Sequence, residues 1–371
     1  MGLSIDSIRF SNFRNYQQLK LENLGGLTVF VGKNGVGKTN ILEGIQLLTS
    51  AQTFRHAVTE QMVLQGKEHG LIGVHAVGDS RDLSIELSIE KGKRRYTLNG
   101  KGKNASEIRG IIPSVIFTPD DLEIAKKSSS IRRECLDDLG SQLSKSYFTV
   151  RQDYEKVIRY KNRLLKEEAT QSYIESVNDT LVTCGTQLFC YRRSLFEKIV
   201  PLITDHYAEI SLDTEQFSAL YQPSWNHLDN SNDHIDIAKP EKDEVRTLLE
   251  KALEKHGGEE VTRKRSLVGP HNDKITFFLA GKDSASFASQ GQQRSIVLAL
   301  KIAEVKLTQQ MLGIDPVLLL DDVMSELDES RRDTLVNFVQ EDMQTFITAT
   351  DLSYFNNELM SRARVITLPL N

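Results

Sequence analysis

LTVFVGKNGVGKTN, residues 27–40, is the stretch around which this sequence is organised. Its first five residues are mostly apolar and β-branched, which predicts a short buried strand. The glycine-punctuated turn that follows leads into a segment whose apolar residues Ile41, Leu42, Ile45 and Leu48 recur at helical spacing. Residues 32–39 fit the pattern G-x-x-x-x-G-K-S/T between a strand and a helix, so the sequence predicts a loop that binds the phosphates of a nucleoside triphosphate.

The backbone of such a loop forms a concave nest of N–H groups at the positive end of the following helix, and both features attract anions. In this loop Lys38 would reach the β- and γ-phosphates and act in catalysis, and the Thr39 hydroxyl would ligate Mg²⁺. The predicted nucleotide contacts here are Gly32, Lys33, Asn34, Gly35, Val36, Gly37, Lys38, Thr39 and Asn40.

Composition bounds the remaining possibilities. The 371 residues suit one large or two medium domains, and the net charge of -5 counts mildly against nucleic-acid binding, although an acidic chain can carry a local basic surface. Three cysteines without metal-ligand spacing indicate free thiols in a reducing compartment. No run is long and apolar enough for a membrane span, and the first residues lack a signal-peptide pattern. We therefore expect a cytoplasmic protein with no membrane partner.

Two further motifs lie late in the chain. PVLLLDD, residues 316–322, predicts a buried strand that ends in two carboxylates, which is the Walker B pattern. Asp321 would hold Mg²⁺ through water, and Asp322 would orient or deprotonate the attacking water. SQGQQ, residues 289–293, predicts a small-residue turn that caps a helix, where Ser289, Gly291 and Gln292 could bind an anion. The order phosphate loop, signature-like turn, Walker B is that of an ABC-type ATPase.

Three other residues are candidate nucleotide contacts. Arg14 lies in a predicted turn between two strands and is either a surface arginine or a residue near the nucleotide. Arg55 is either a phosphate or trans contact or a loop charge. Thr350 follows the predicted strand at residues 345–348 and gives its end a polar tip.

Segment patterns predict an α/β fold with a mixed sheet and an antiparallel meander. Period-two alternation in residues 71–98 indicates the meander. From residue 120 to 256 helical periodicity dominates, although Pro201, Pro223 and Pro240 interrupt it. We therefore predict an ABC-type ATPase lobe from residues 1–119 and 257–371 with a mostly helical lobe, residues 120–256, inserted into it.

One helix of the insert has a basic face, formed by Lys156, Arg159, Arg163 and Lys166 at i, i+3, i+7 and i+10. Residues 123–166 contain 11 Lys and Arg against 6 Asp and Glu, a local net charge of +5. This face is either an ordinary solvated surface or a contact for the phosphate backbone of DNA.

The chain resembles the RecF family of bacterial DNA replication and repair proteins, relatives of the SMC ATPase heads. The resemblance runs nearly end to end and is carried by the following segments: NFRNY at 12–16, GKNGVGKTNILEGI at 32–45, FTPDDLEI at 117–124, RR at 132–133, VIRYKNRLLK at 157–166, GPHNDKI at 269–275, SQGQQRS at 289–295 and LLLDDVMSELD at 318–328. Asp322 stands where most ABC ATPases have glutamate, and the shorter carboxylate implies slow hydrolysis.

This resemblance implies an ATP- and Mg²⁺-dependent switch. Two copies would close over two ATP molecules, with Ser289 and Gly291 of one copy contacting the γ-phosphate held by the other, so that dimerisation depends on ATP. It also implies binding to single-stranded DNA and to gapped or duplex junctions. Together with RecO and RecR, such a protein helps to load RecA during recombinational repair and the SOS response.

Two other functions stay open on the motifs alone. An ABC transporter subunit shares the motif order, but such chains usually have a smaller helical insert and a histidine where this chain has Thr350 and Asp351. A P-loop GTPase would need an N-K-x-D guanine reader, which the sequence lacks, and a small-molecule kinase would not explain SQGQ or SELD.

Overall fold

A computed structural model of the chain describes residues 2–55, 57–78, 81–212, 214–227, 241–339 and 343–369. The chain divides into two compact units. Unit 1 consists of residues 1–123, 205–213 and 290–371, and unit 2 of residues 124–204 and 214–289.

The N-terminal part of unit 1 contains eight strands and two helices. They are β1 (Ser4–Phe13), β2 (Tyr16–Leu21), β3 (Leu27–Val31), α1 (Lys38–Thr49), β4 (His69–Gly78), β5 (Arg81–Glu90), β6 (Lys93–Leu98), β7 (Lys101–Lys103), α2 (Ala105–Ile108) and β8 (Ser114–Phe117). A 3₁₀ turn, Pro119–Glu123, follows β8.

The middle of the chain is mostly helical and belongs largely to unit 2. Its elements are α3 (Ser129–Leu143), α4 (Lys145–Lys166), α5 (Gln171–Ser211), β9 (Phe217–Gln222), α6 (Ser224–His227), α7 (Lys242–Arg263), β10 (Lys274–Leu279), β11 (Lys282–Asp283) and α8 (Ser284–Phe287). A 3₁₀ turn, Pro270–Asn272, precedes β10.

The C-terminal part returns to unit 1. Its elements are α9 (Gln290–Leu312), β12 (Val317–Asp321), α10 (Glu329–Val339), β13 (Thr345–Ala349), α11 (Asn357–Arg362) and β14 (Arg364–Thr367).

Two sheets form the frame of unit 1, and they confirm the predicted α/β fold class. One is antiparallel, in the order β2-β1-β4-β5-β6-β7, and includes the predicted meander. The other has the order β14-β3-β13-β12-β8, and all its strand pairs are parallel. Every residue of β12 and β13 is buried, as expected for parallel strands that are covered on both faces.

Helix α1 lies in the core of unit 1. Ile41, Leu42, Ile45 and Leu48 are fully buried, which confirms the predicted apolar face. A Cβ at Gly44 would lie 2.4 Å from the Phe10 ring, so glycine is needed for α1 to pack this closely against β1. The helix that follows the phosphate loop is therefore fixed by packing at its middle.

The predicted division at residues 119/120 and 256/257 differs from the observed units, because the predicted helical insert contains a strand, β9, that pairs with a strand outside it. Strand β9 pairs along its whole length with β10, and this pairing places residues 257–289 in unit 2. Pro201 does not interrupt its helix, since α5 continues from Gln171 to Ser211. Residues 228–240 of the predicted insert, including Pro240, lie outside the described residues.

A buried polar cluster in unit 2 fixes the turn before β10. Arg192 forms a two-bond ion pair with Asp137, at 2.9 and 2.8 Å, and donates a hydrogen bond of 2.6 Å to the Pro270 carbonyl. The Asp273 carboxylate accepts hydrogen bonds from the Ser224 backbone N–H, at 2.8 Å, and from the Tyr221 hydroxyl. The segment GPHND is therefore held by side chains from several helices and strands.

Candidate nucleotide-binding site

The parallel sheet of unit 1 brings the predicted motifs to one edge. The phosphate loop follows β3, Asp321 ends β12, and Thr350 follows β13 directly. Because β3, β13 and β12 are neighbouring parallel strands, their carboxyl ends meet at the same edge of the sheet, where open α/β sheets bind ligands.

The phosphate loop has the backbone that its glycines allow. Gly35 and Gly37 have φ of 84° and 111°, in the left-handed region. A Cβ at Gly37 would lie 2.6 Å from the Asn15 side-chain nitrogen and 2.7 Å from the Tyr16 hydroxyl, so any other residue would also collide with the β1–β2 turn. Asn15 in turn donates a hydrogen bond of 3.1 Å to the Val36 carbonyl.

Lys38 is folded back onto its own loop. Its ammonium donates hydrogen bonds to the carbonyls of Gly32, at 2.6 Å, and Lys33, at 3.1 Å, and the residue is only 5% exposed. The positive charge is thus held inside the loop, at the position where triphosphate oxygens would be bound. Among the other loop residues, Lys33, Asn34 and Gly35 are exposed.

Thr39 and Asp321, the two predicted metal ligands, are brought together. The Thr39 hydroxyl is hydrogen-bonded to the Asp321 side chain, and Thr348 of β13 donates to Asp321 Oδ1 at 2.8 Å. Burial raises the pKa of Asp321 above its ordinary value, and the hydrogen bonds from Thr348 and Thr39 oppose that rise. A hydroxyl and a carboxylate are the oxygen donors that Mg²⁺ prefers.

The small number of protein ligands around Thr39 and Asp321 limits which metal ion could bind there. Among the described residues no group of three His, Cys, Asp or Glu side chains could hold a metal ion. Mg²⁺ is typically bound by one or two protein oxygens and completed by water and substrate phosphates, so Thr39 and Asp321 fit this ion.

Asp322 has a left-handed backbone and a carboxylate oxygen that is buried and unpaired among the described residues. Its φ of 53° lies in the left-handed region, and its N–H donates to the Thr348 hydroxyl at 2.9 Å. Its Oδ1 atom is buried and finds no hydrogen-bond partner among the described residues. Burial raises the pKa of Asp322, Lys38 opposes the rise, and Asp321 and Glu326 add to it. This carboxylate can accept a hydrogen bond from a water molecule.

Arg14 and Arg55 converge on a residue that the sequence analysis did not single out, Glu43 of α1. Arg14 donates two hydrogen bonds to the Glu43 carboxylate, at 2.8 and 2.6 Å, and a third, of 2.9 Å, to the Gln61 carbonyl. Arg55 lies 3.7 Å from the same carboxylate and donates to Asn40 Oδ1 at 2.6 Å. Its charge also opposes the rise that burial causes in the pKa of Asp321, so Arg55 acts electrostatically on the predicted metal ligand.

The signature-like segment is helical almost from its start. Ser289 is exposed and directly precedes α9, which begins at Gln290, and Gln292 is half-buried in its first turn. The space beside Gly291 is occupied by the Arg331 guanidinium, whose nearest nitrogen would lie 3.3 Å from an added Cβ. Arg331 also donates to the Ser295 hydroxyl, at 2.8 Å, and to Asp328 of the SELD segment.

Two further polar residues, Thr348 and Asp121, lie at or near the ends of strands in this sheet. The Thr348 hydroxyl donates to the Asp321 carboxylate and accepts from the Asp322 backbone N–H, yet Thr348 lies inside a buried apolar strand, where only the sheet order reveals these contacts. Asp121 follows β8, the strand beside β12, and it forms an ion pair of 3.1 Å with Lys301. A polar residue directly after a predicted strand indicates that it lies at the ligand-binding edge of the sheet. The sequence does not show, however, which strand neighbours β12.

The basic face of α4 is exposed but partly neutralised. Lys156 pairs with Asp153 at 3.0 Å, and Arg159 lies 3.9 Å from Glu155. The Arg163 guanidinium lies over the Tyr160 ring, 5.1 Å from its centre. Acidic neighbours on the same helix therefore offset part of the charge that the predicted phosphate contact would use.

None of the helices in the described ranges is long and apolar enough to cross a lipid bilayer. Of the described cysteines, all three are free thiols.

Comparison with known proteins places the chain among ATPases of DNA repair. The family model "RecF/RecN/SMC N terminal domain" matches residues 4–367. A curated "DNA replication and repair protein RecF" from Heliobacterium modesticaldum is 34% identical over 370 residues, which cover 98% of this chain and 96% of the relative. The one from Symbiobacterium thermophilum is 35% identical over 353 residues, which cover 94% of this chain and 92% of the relative.

Solved structures agree with these sequence matches. A structure described as the recombination mediator protein RecF-ATPrS in the RecFOR pathway has a TM-score of 0.87 and 31% identity, covering 96% of this chain and 94% of the other. The corresponding RecF-ATP structure has a TM-score of 0.85 and 30% identity, with the same coverage. An SMC head domain from Pyrococcus furiosus shares the fold, with a TM-score of 0.54, 16% identity, and coverage of 98% and 93%.

Proposed function

Because this chain belongs to the RecF/RecN/SMC N-terminal domain family, and within it to the RecF DNA replication and repair proteins, we propose that it is an ATP-dependent DNA-binding switch of recombinational repair. The observation that carries this proposal is the convergence of Lys38, Thr39, Asp321 and Asp322 at one edge of the parallel sheet. RecF structures with ATP and ATPrS support ATP as the nucleotide.

Each residue of the site has a role in this proposal. The N–H groups of residues 32–40 and the Lys38 ammonium bind the triphosphate, while Thr39 and Asp321 hold Mg²⁺. The chemistry that Mg²⁺ would supply at these two residues is neutralisation of negative charge on the phosphates. Asp322 accepts a hydrogen bond from the attacking water and orients it. A short aspartate here supports slow ATP hydrolysis, which suits a switch better than a motor.

Arg14, Arg55 and Thr350 complete the nucleotide side of the site. Arg55 acts through its charge on Asp321, Arg14 acts through Glu43, and Thr350 gives β13 a polar end beside the loop. Ser289, Gly291 and Gln292 are proposed to contact the nucleotide of a second copy. ATP then lies within a two-fold interface, and its hydrolysis releases the dimer.

The finer biological role follows from family membership. We propose binding to single-stranded DNA and to gapped or duplex junctions, with RecR and RecO as partners, in the cytoplasm. The outcome would be RecA loading during recombinational repair and the SOS response. The basic face of α4, with Lys156, Arg159, Arg163 and Lys166, is one candidate contact for DNA.

The test compares the wild type with Asp322→Asn and Lys38→Met. In saturating Mg·ATP, sedimentation should show a dimer for the wild type and a longer-lived dimer for Asp322→Asn, because hydrolysis is blocked in that variant. Lys38→Met should stay monomeric, since it lacks the triphosphate contact. Gel shifts on gapped, duplex and single-stranded DNA, with and without ATP, should show ATP-dependent retardation. An Asp322→Asn protein that stays monomeric with both ATP and DNA would overturn the proposal.

A further inference from the structure

The proposed function gives no role to the SELD segment, residues 325–328, which follows the two Walker B carboxylates. The segment lies between Asp322 and helix α10 and belongs, like α9, to unit 1. Its two ends have different partners, and together these partners connect the Walker B motif to the start of α9.

At its first residue the SELD segment is held to Asp322. The Ser325 hydroxyl donates a hydrogen bond of 2.8 Å to the Asp322 backbone carbonyl. A 3₁₀ turn, Val323–Ser325, is closed by the Glu326 N–H, which donates to the Val323 carbonyl at 3.1 Å. A shift of Asp322 would therefore move this end of the segment with it.

At its last residue the SELD segment is held to Arg331. Asp328 directly precedes α10, and its carboxylate accepts hydrogen bonds from the Arg331 backbone N–H, at 3.1 Å, and from the Arg331 guanidinium. Burial alone would raise the pKa of Asp328, but the hydrogen bonds and charge of Arg331 and the charge of Arg294 lower it below its ordinary value. The ionised carboxylate therefore holds the guanidinium at the start of α10.

The same guanidinium also reaches α9. Its Nε atom donates a hydrogen bond of 2.8 Å to the hydroxyl of Ser295, which is only 2% exposed, and a terminal nitrogen would lie 3.3 Å from a Cβ added at Gly291. A second contact joins the same two elements, since Arg294 lies 3.5 Å from the Glu326 carboxylate. Gly291, Arg294 and Ser295 are spaced i, i+3 and i+4, so one face of the first turns of α9 carries all these contacts.

Arginine is the side chain that this junction requires. Its Nε and one terminal nitrogen bind acceptors on two different elements at once, while the other terminal nitrogen occupies the space beside Gly291. Lysine has a single terminal nitrogen and could not hold Ser295 and Asp328 in this fork geometry. Because the Arg331 side chain is mostly buried, solvent ions screen its charge less than they screen an exposed pair.

The neighbouring arginine, Arg332, is bound differently. It donates a hydrogen bond of 3.0 Å to the Leu327 carbonyl, and its guanidinium lies 5.0 Å from the centre of the Tyr354 ring. In the described part of the chain, Arg332 makes no hydrogen bond or ion pair with α9. Of the two arginines, it is therefore Arg331 that joins the SELD segment to the helix of the signature-like turn.

We propose that Arg331 is a positioning residue that orients the signature-like turn, through its fork between Asp328 and Ser295, for contact with the ATP of a second copy. Because the other end of the SELD segment is fixed to Asp322, the same link connects the ATP held by one copy to the contact that this copy makes with the other copy's ATP. This inference rests on the proposed function, and it adds the residue that makes the two ATP sites interdependent.

The experiment compares the wild type with three single variants and one double variant. Arg331→Gln removes the fork, and Arg332→Gln is the matched control, because it loses the same charge from the next position of α10 and leaves the contact with Ser295 intact. Ser295→Ala removes only the acceptor on α9 and keeps every charge. The double variant Ser295→Ala/Arg331→Gln completes a double-mutant cycle.

Sedimentation in saturating Mg·ATP measures the dissociation constant of the dimer, calorimetry measures ATP affinity, and thermal melting without ATP measures the stability of the fold. Arg331→Gln should weaken the dimer about tenfold or more and leave ATP affinity within about threefold of the wild type, because it loses hydrogen bonds of a charged group at the turn that meets the second copy. Ser295→Ala should weaken the dimer by a smaller factor, and Arg332→Gln should dimerise as the wild type does.

The double variant should dimerise no more weakly than Arg331→Gln alone, since both substitutions break the same link. A merely structural role would lower the melting temperature in each variant, and the two losses would add.

Three results would overturn the inference: a dimer of wild-type stability in Arg331→Gln, an equal loss in Arg332→Gln, or additive losses in the double variant. If Arg331→Gln does not fold, a dimer of wild-type stability in Ser295→Ala would overturn it alone. A wild type that stays monomeric in saturating Mg·ATP would instead count against the proposed function.

Discussion

Glu43 shows how one buried carboxylate organises the mouth of the nucleotide site. It lies four residues after Thr39 on α1, so both residues lie on the same side of the helix. It is fully buried, and it accepts hydrogen bonds from Arg14 and from the Thr53 hydroxyl, the latter at 2.6 Å, while Arg55 lies within ion-pair distance. Two predicted nucleotide contacts, Arg14 and Arg55, are thus positioned by a carboxylate outside the phosphate loop.

We predict that Glu43→Gln lowers the free energy of unfolding by about 2 kcal/mol, because the mostly buried Arg14 guanidinium loses its counter-charge. ATP affinity should also fall, since Arg55 is no longer held beside Asn40. Urea unfolding and calorimetry measure the two effects. The matched control is Glu22→Gln, which removes an exposed pair with Lys20 and should cost less than about 0.5 kcal/mol. Equal costs for both variants would contradict the proposed positioning role.

At the scale of elements, the turn between α7 and β10 depends on a partly buried, neutral histidine. His271 Nδ1 lies 2.6 Å from the Tyr154 hydroxyl of α4, and its Nε2 lies 3.4 Å from the Ser266 carbonyl. Burial lowers the pKa of His271 from 6.5 to about 4. Burial also raises the pKa of Tyr154 well above its ordinary value, so its hydroxyl stays protonated.

The pKa of His271 is lower in the folded chain than in the unfolded chain. Between pH 6.5 and about 4, the unfolded chain therefore binds a proton at this residue and the folded chain does not. The contribution of neutral His271 to the free energy of unfolding should be complete above pH 6.5. It should fall by about 3 kcal/mol as the pH drops to about 4. Urea unfolding at several pH values measures this loss. His271→Gln should be less stable at neutral pH and should lose this part of the pH dependence, whereas His69→Gln, at an exposed position, should keep it. If the free energy of unfolding of His271→Gln depended on pH as that of the wild type does, His271 would not be the group responsible.

At the scale of the whole molecule, the proposed dimer depends on a surface that a single copy leaves open. Ser289 is exposed in front of α9, and the space beside Gly291 is taken by Arg331 rather than by any residue of the phosphate loop. In the proposed dimer this exposed turn meets a second copy, and the loop that carries Lys38 binds ATP within each copy.

We predict that Ser289→Arg leaves the ATP affinity of the monomer within about threefold of the wild type but prevents ATP-dependent dimerisation, because a bulky cation fills the surface that would close over the γ-phosphate. Calorimetry measures the affinity, and sedimentation in Mg·ATP measures the dimer. Ser172→Arg, at an exposed position on α5, is the control that should still dimerise. A dimer of normal stability in Ser289→Arg would exclude the trans contact.

The nucleotide motifs were predictable because each is local. A strand, a glycine turn and a helix in succession fix the phosphate loop, and an apolar run that ends in Asp321 and Asp322 fixes the Walker B strand. Strand β9 was not predictable, since its pairing partner β10 lies about 55 residues later and its own short pattern resembles the helices around it. The division of the chain at residue 289 follows from that pairing.

The sequence by itself therefore determined the fold class, the phosphate loop and the identity of the two acidic residues, because short-range periodicity and spacing specify them. The family was identified from the resemblance of its motifs. Only the tertiary structure decided that Thr348 links Asp321 to Asp322 and that Glu43 gathers two arginines. Strand order and side-chain partners depend on contacts between residues far apart in the chain, and spacing along a single sequence does not encode which of those contacts form.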